Sequence, residues 1–383
     1  MKSKSSLILA LFLFLALGSK SQGASEDVVI GKYHILNSET LGEDRKVAVH
    51  LPRGYEETKL DYPIVYLLYG DCLDTYFVEL ISILEGLNYR NLAPQMILVG
   101  VHNTDRYRDL LPLEKNGNYE GVENFHTFLT TELMPFINKQ YRTADYNILI
   151  GPQAGSCFGM YALMNHPATF NAILIESGSF TPPMIRDYMT KKATTFFSDQ
   201  NTLDHFLYVK LENQFTPSYE YTKSLIRLIE SKQPKAFRLG FHLHDIAQNN
   251  LRSLPGEKGL CALFEGYSLA ADYPVNCLKD IQSYYDTLST DLGFTLNTSD
   301  VTLMMEGDKL DQDGKSTEAM EVYEFILELY PTSLAGLHRA AEKNISLGRY
   351  QKAKGYLQRF LAINPDEVYI KERLQVVEKL INQ

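Results

Sequence analysis

Short apolar runs alternate with amphipathic stretches along most of the chain. Residues 46–51 alternate apolar and polar side chains and are stopped by Pro52 and Gly54, the pattern of a strand with one wet face. Residues 64–68 are apolar without interruption and are closed by Gly70; residues 96–101, 148–150 and 172–175 repeat that pattern. Such runs belong to strands buried on both faces. Between them, residues 125–138 place Phe125, Phe128, Leu129, Leu133, Phe136 and Ile137 on one helical face. Buried strands separated by amphipathic helices predict βαβ units over residues 26–270, in an α/β fold with a mainly parallel sheet and helices on both faces. Ligands of such sheets bind at the carboxyl ends of the strands. The loops after residues 70, 101, 150 and 176 are therefore where chemistry is expected.

Both ends of the chain read differently. Lys2 and Lys4 precede an unbroken apolar run, residues 7–17, with small and polar residues after it. A membrane-spanning helix needs about 20 apolar residues, so this run predicts a secretory signal peptide over residues 1–22 and an exported protein, periplasmic or secreted. No second long apolar segment follows, and no membrane span is expected in the mature chain. Past residue 300, Leu303 and Leu337, Gly314 and Gly348, Ala319 and Ala353, and Pro331 and Pro365 form pairs at one common spacing of 34. That period is the tetratricopeptide signature. It predicts helix pairs at 300–312 with 316–329 and 334–346 with 350–362, and a capping helix near 366–381, joined to the sheet domain by residues 271–299. Two repeats fall below the usual minimum of about three, so residues 300–383 are expected to pack on the main domain.

Composition narrows the function. With 37 basic against 47 acidic residues the net charge is −10, which opposes binding to a phosphate backbone. Cys72, Cys157, Cys261 and Cys277 include no C-x-x-C pair, so neither a zinc site nor a redox pair is indicated, and no metal or cofactor is expected. In an exported chain the four cysteines allow three complete pairings, and the sequence does not choose among them.

Residues 148–155, Ile-Leu-Ile-Gly-Pro-Gln-Ala-Gly, read as a strand, a sharp turn and the start of a helix. The spacing of Gly151 and Gly155 is that of the G-x-S-x-G nucleophile elbow, with Gln153 in place of serine. At these residues the chain resembles the esterase family of α/β-hydrolases, which includes enterochelin esterases, feruloyl and acetyl-xylan esterases and S-formylglutathione hydrolases. Other motifs extend the resemblance over nearly the whole mature chain. Residues 62–71 (YPIVYLLYGD) are similar to the strand before the oxyanion loop, and residues 99–106 with Arg108, Asp109 and Pro112 to the "GI-N-R-RD-P" stretch. Tyr141-Arg142-Thr143, Tyr161-Ala162-Leu163 and Asn165-His166-Pro167 fall where the family has "YRT", "YAL" and "NHP". Tyr284-Tyr285 and Leu288-Ser289, leading into the repeats, resemble exported bacterial esterases with tetratricopeptide tails.

Carried over by position, the resemblance puts the triad serine on Gln153. The histidine, eleven residues before Gly259-Leu260, falls on Gln248, and the acid after the strand at 206–211 falls on Glu212. The oxyanion donors implied are the N–H of Ala154 and one from the Asp71–Cys72 loop. A carboxamide is not a nucleophile at neutral pH, and glutamine does not titrate as a base. Losing the nucleophile or base of a serine triad costs on the order of 10⁶ in turnover. The reading is therefore an inactive esterase-like module that holds a small ester- or carbonyl-containing ligand, with the tetratricopeptide helices offering a surface to a protein partner.

The competing reading is a working carboxylic ester hydrolase, acting on an acylated sugar or a siderophore-like ester, with a displaced nucleophile. Cys157 fits G-x-C-x-G, but that register drives Pro152 and Gly155 into a central strand, which disfavours both. His242 or His244 is the alternative base, in a strand pattern that suits edge histidines. Ser156, Ser177 and Ser179 lie near the expected sheet edge, where serines commonly form turns. Arg106 and Arg108 are candidates to anchor an anionic ligand, or to pair with Asp105 or Asp109.

Overall fold

The computed structural model describes residues 28–68, 73–115, 118–176, 180, 182–212, 217–244 and 254–383. Contacts divide the chain into two units, residues 1–30 and 31–383. In the first, the described Val28, Val29 and Ile30 are exposed; the expected signal peptide lies outside the described residues.

The second unit opens with β1 (Lys32–Ser38), β2 (Glu43–His50) and β3 (Tyr62–Leu68), then α1 (Leu73–Tyr89) and β4 (Ile97–Val101). Three helices follow, α2 (Arg106–Leu110), α3 (Glu120–Phe128) and α4 (Met134–Gln140). Strand and helix then alternate through β5 (Thr143–Gly151), α5 (Ala154–Asn165), β6 (Ala172–Glu176), α6 (Pro183–Asp199) and β7 (Phe206–Glu212). The series ends with α7 (Pro217–Lys232), β8 (Arg238–His244) and α8 (Gly256–Leu263). The eight strands form one sheet in the order β1-β2-β4-β3-β5-β6-β7-β8. β1, β2 and β4 pair antiparallel, and the remaining pairs are parallel.

The uninterrupted apolar runs become the central strands. All of β3, β4, β6 and β7 is buried. Alternate residues serve two cores: Val65, Leu67, Ile148 and Ile150 face one side, and Ile64, Tyr66, Leu68 and Leu149 the other. α5 lies inside the second core and buries ten of its twelve residues, which is why it is apolar nearly all round.

Two features differ from the sequence pattern. β1, an edge strand with Tyr33 and Ile35 exposed, has too weak an alternation to stand out. The single helix expected over residues 125–138 is instead α3 and α4 joined by a π-helical turn, Leu129–Leu133. Pro135, near the start of α4, has no N–H to give to the carbonyl four residues back. The turn leaves Phe136 at the rim, edge-on to His34 at 5.1 Å, while Phe125, Phe128, Leu129, Leu133 and Ile137 are buried.

Six helices complete the chain: α9 (Leu278–Leu292), α10 (Asp300–Gln312), α11 (Ser316–Leu329), α12 (Leu334–Ser346), α13 (Tyr350–Ile363) and α14 (Val368–Ile381). The 34-residue period is physical. Leu303 and Leu337 are wholly buried, as are Ala319 and Ala353. Gly314 and Gly348 sit at φ +79° and +69° beyond α10 and α12. There the next residue's N–H reaches back to Leu310 O and Asn344 O, a helix stop that selects glycine. The ion pairs repeat as well, since Arg339 holds Asp308 at 2.8 Å and Arg373 holds Glu342 at 2.7 Å. In α14 the counterparts of Leu303 and Leu337, and of Gly307 and Ala341, are Lys371 and Gln375, both exposed.

This helical region shares a core with one sheet face. Phe294 stacks on Tyr146 at 4.4 Å. Asn91, in the left-handed region at φ +57° after α1, donates to Thr302 Oγ1 at 2.8 Å and accepts from Ser299 Oγ at 2.5 Å. Ser299 is also the N-cap of α10. One buried amide thus fixes where the array begins. Replacing Asn91 by Ala removes both bonds and leaves a Cβ-bearing residue at positive φ without the local bonding that suits asparagine there. The expected loss is about 2–4 kcal/mol in urea unfolding.

Candidate functional site

β5 ends at Gly151, and the chain turns through Pro152 and Gln153 into α5. Gln153 has φ +50° and ψ −117°, a strained conformation that costs a non-glycine residue about 1–3 kcal/mol. The backbones crowd on either side. A Cβ on Gly151 would lie 2.4 Å from Gly155 O, and one on Gly155 would lie 2.6 Å from Leu68 O. The Ser156 hydroxyl ties the turn together, donating to Gly151 O at 2.7 Å and accepting from Glu176 N at 3.1 Å.

Next to the elbow lies a chain of buried charges. The Gln153 N–H donates to Glu176 Oε1 at 2.8 Å. Glu176 Oε2 is 3.8 Å from Lys210 Nζ, which donates to Glu212 Oε1 at 2.9 Å. Lys210 is wholly buried, and the two glutamates are 7% and 6% exposed. The sheet explains this grouping. Glu176 ends β6 opposite Lys210, and Glu212 ends β7 opposite His244, so parallel pairing brings these side chains to one carboxyl edge. Two carboxylates hold one ammonium, as desolvated charges require.

The sequence-predicted residues divide accordingly. Gln153 occupies the elbow, and Glu212 reaches it through Lys210 and Glu176. Ala154 opens α5, where a first-turn N–H has no acceptor within the helix. Gln248, Asp71 and Cys72 lie outside the described residues, as do Ser177 and Ser179. Cys157 is wholly buried in α5, and burial pushes its thiol well above the ordinary range. Ser156 is committed to the turn. His242 and His244 lie half-buried on the edge strand β8, where Phe241 and Leu243 are exposed. The His242 Nδ1 pairs with Tyr208 OH at 2.9 Å. Burial, then Lys258, Lys210 and His244, bring the His242 pKa down to about 4. Arg108 is taken up structurally, with Glu43 at 2.7 Å and Asp109 at 2.8 Å. The same two carboxylates hold the buried Arg45. Arg106 lies against the Tyr107 ring.

The sequence reading missed Glu176 and Lys210. A signal was present, because Lys210 interrupts an apolar strand buried on both faces, and a lysine there needs a partner.

The comparisons with known proteins agree with this geometry. The model of the family described as "Putative esterase" matches residues 38–215. The fold is that of an α/β-hydrolase, and residues 38–215 are similar to the esterase family. Among solved structures, an IroE-like serine hydrolase from Shewanella oneidensis superposes with a TM-score of 0.60 at 22% identity, over 76% of this chain and 98% of its own. A protein from Capnocytophaga ochracea has a TM-score of 0.60 at 16% identity, over 91% of this chain and 99% of its own. The second likeness extends the shared fold into the helical region. By sequence, the Bacillus subtilis protein YbbA is 25% identical over 153 residues, which is 37% of this chain and 60% of YbbA.

Two outcomes follow for this site. Lys210→Met removes the ammonium between two buried carboxylates and should destabilise the fold by about 3–5 kcal/mol. Adding Glu212→Gln should recover part of the loss in the same urea titration. The depressed His242 makes stability fall as pH drops from about 6.5 toward 4, because the unfolded chain takes up a proton that the native ring does not. His242→Gln should flatten that slope between pH 7 and 5.

Proposed function

We propose that this protein is an exported pseudoesterase, an esterase-family fold kept for binding rather than turnover. The observation that carries the reading is the elbow itself: its strained geometry is retained around Gln153, and the acid position Glu212 is tied to Lys210. In a working triad the acid orients the base. Here its Oε1 accepts from a lysine, and the residue at the nucleophile position has no ionisable proton. The Shewanella protein of like fold is a serine hydrolase, which sharpens the contrast.

At the carboxyl edge the Ala154 N–H, in the first turn of α5, is a backbone donor without an acceptor inside the helix, which supports a small ligand bearing a carbonyl or ester group. The helices α10–α14 are read as a tetratricopeptide-type array with a surface for a protein partner, supported by the repeated glycine stops and ion pairs. Export rests on the basic start and the short apolar run at residues 7–17. The working-esterase alternative loses Cys157 to burial and Ser156 to the turn.

Turnover of a chromogenic acetate ester tests the reading. Wild-type protein should not exceed the buffer rate. Gln153→Ser and Gln248→His should each do little alone and, together, raise the rate on the order of 10- to 100-fold, since triad members act as a unit and a drifted geometry limits the gain. A wild-type rate equal to that of the double variant would place catalysis on another residue.

A further inference from the structure

A second cluster lies at the far end of α5, about 18 Å along the helix from the elbow at 1.5 Å per residue. α3 presents Glu123 and His126 three residues apart on one face, and His166 caps the end of α5. The two imidazoles stack with centroids 3.8 Å apart and planes 13° from parallel. His166 Nε2 is 3.0 Å from Glu123 Oε2. One ligand-type atom from each of the three residues falls within 4.8 Å of the others.

We propose that Glu123, His126 and His166 bind one divalent transition-metal ion, Zn²⁺ foremost. Two imidazoles and a carboxylate are a borderline nitrogen and oxygen set. That set suits Zn²⁺ over the hard Mg²⁺ and Ca²⁺, which take oxygen ligands. Three protein ligands leave a fourth position to water, as in open zinc sites. Neighbouring groups already orient the ligands. Thr169 Oγ1 lies 2.8 Å from His126 Nε2, and the Tyr161 hydroxyl donates to Glu123 Oε1. Outer contacts of this kind hold metal ligands in place. The His166 and Glu123 side chains are 31% and 44% exposed, which gives the ion a path from solvent, while His126 forms the buried wall. Ligand atoms of one tetrahedral ion lie roughly 3.3 Å apart, so binding draws the cluster in from its present spread of up to 4.8 Å.

The test uses the full chain stripped with a chelator and titrated with ZnCl₂ in a calorimeter at pH 7.5. One equivalent should bind. Glu123→Gln and His166→Gln, both at partly exposed positions, should each weaken binding at least about tenfold, with folding checked by circular dichroism. Co²⁺ should give the visible bands of a four-coordinate site in wild type and lose them in His166→Gln. The pair His242→Gln with His244→Gln, on β8, should leave Zn²⁺ affinity unchanged. Absence of binding overturns the proposal, as does binding that survives both cluster variants or is lost only with the β8 histidines.

Discussion

Everything at the carboxyl edge depends on a close approach of three backbones. β5, α5 and the end of β3 meet at Gly151, Gly155 and Leu68 O with no room for a Cβ on either glycine. The residue between the glycines must take positive φ, and Gln153 does so at +50°. In an active hydrolase this strain exposes a nucleophile. Here the backbone constraint persists with a side chain that cannot perform the attack. The packing of α5 against the central strands holds the turn, because a helix buried over ten of its twelve residues has no freedom to relax it.

The adjoining charge chain explains how the edge stays ordered. Glu176, Lys210 and Glu212 link the elbow N–H to the end of β7 through contacts of 2.8, 3.8 and 2.9 Å. Isolated in the interior, each charge would cost several kcal/mol in lost hydration. Sharing one ammonium between two carboxylates offsets that cost and fixes the geometry of three strand ends at once. The same arrangement occupies Glu212, the residue on which the family resemblance puts the acid.

Much of this was legible in the sequence. Unbroken apolar runs marked the central strands, the paired glycines around Gln153 marked the elbow, and the 34-residue interval located five helices to within about two residues. These signals are local, carried by period and spacing. What the sequence left hidden depends on pairing between distant segments. Lys210 meets Glu176 only because β6 and β7 are parallel neighbours in a particular register, and Asn91 meets Ser299 only after the helical array docks. Arg108 shows the same limit, since its main partner, Glu43, is 65 positions away. The π-helical turn before Pro135 was missed for a different reason, because the apolar spacing on both sides still reads as one helix.

Intact-mass spectrometry after exposure to a fluorophosphonate tests most directly whether the elbow has lost its chemistry. The reagent needs an activated nucleophile and no knowledge of the ligand. Wild-type protein should keep its unmodified mass, while a working serine esterase run alongside takes up one adduct. A stoichiometric adduct on the wild-type chain, mapped to a single side chain, would contradict the loss of catalysis and name the residue that performs it.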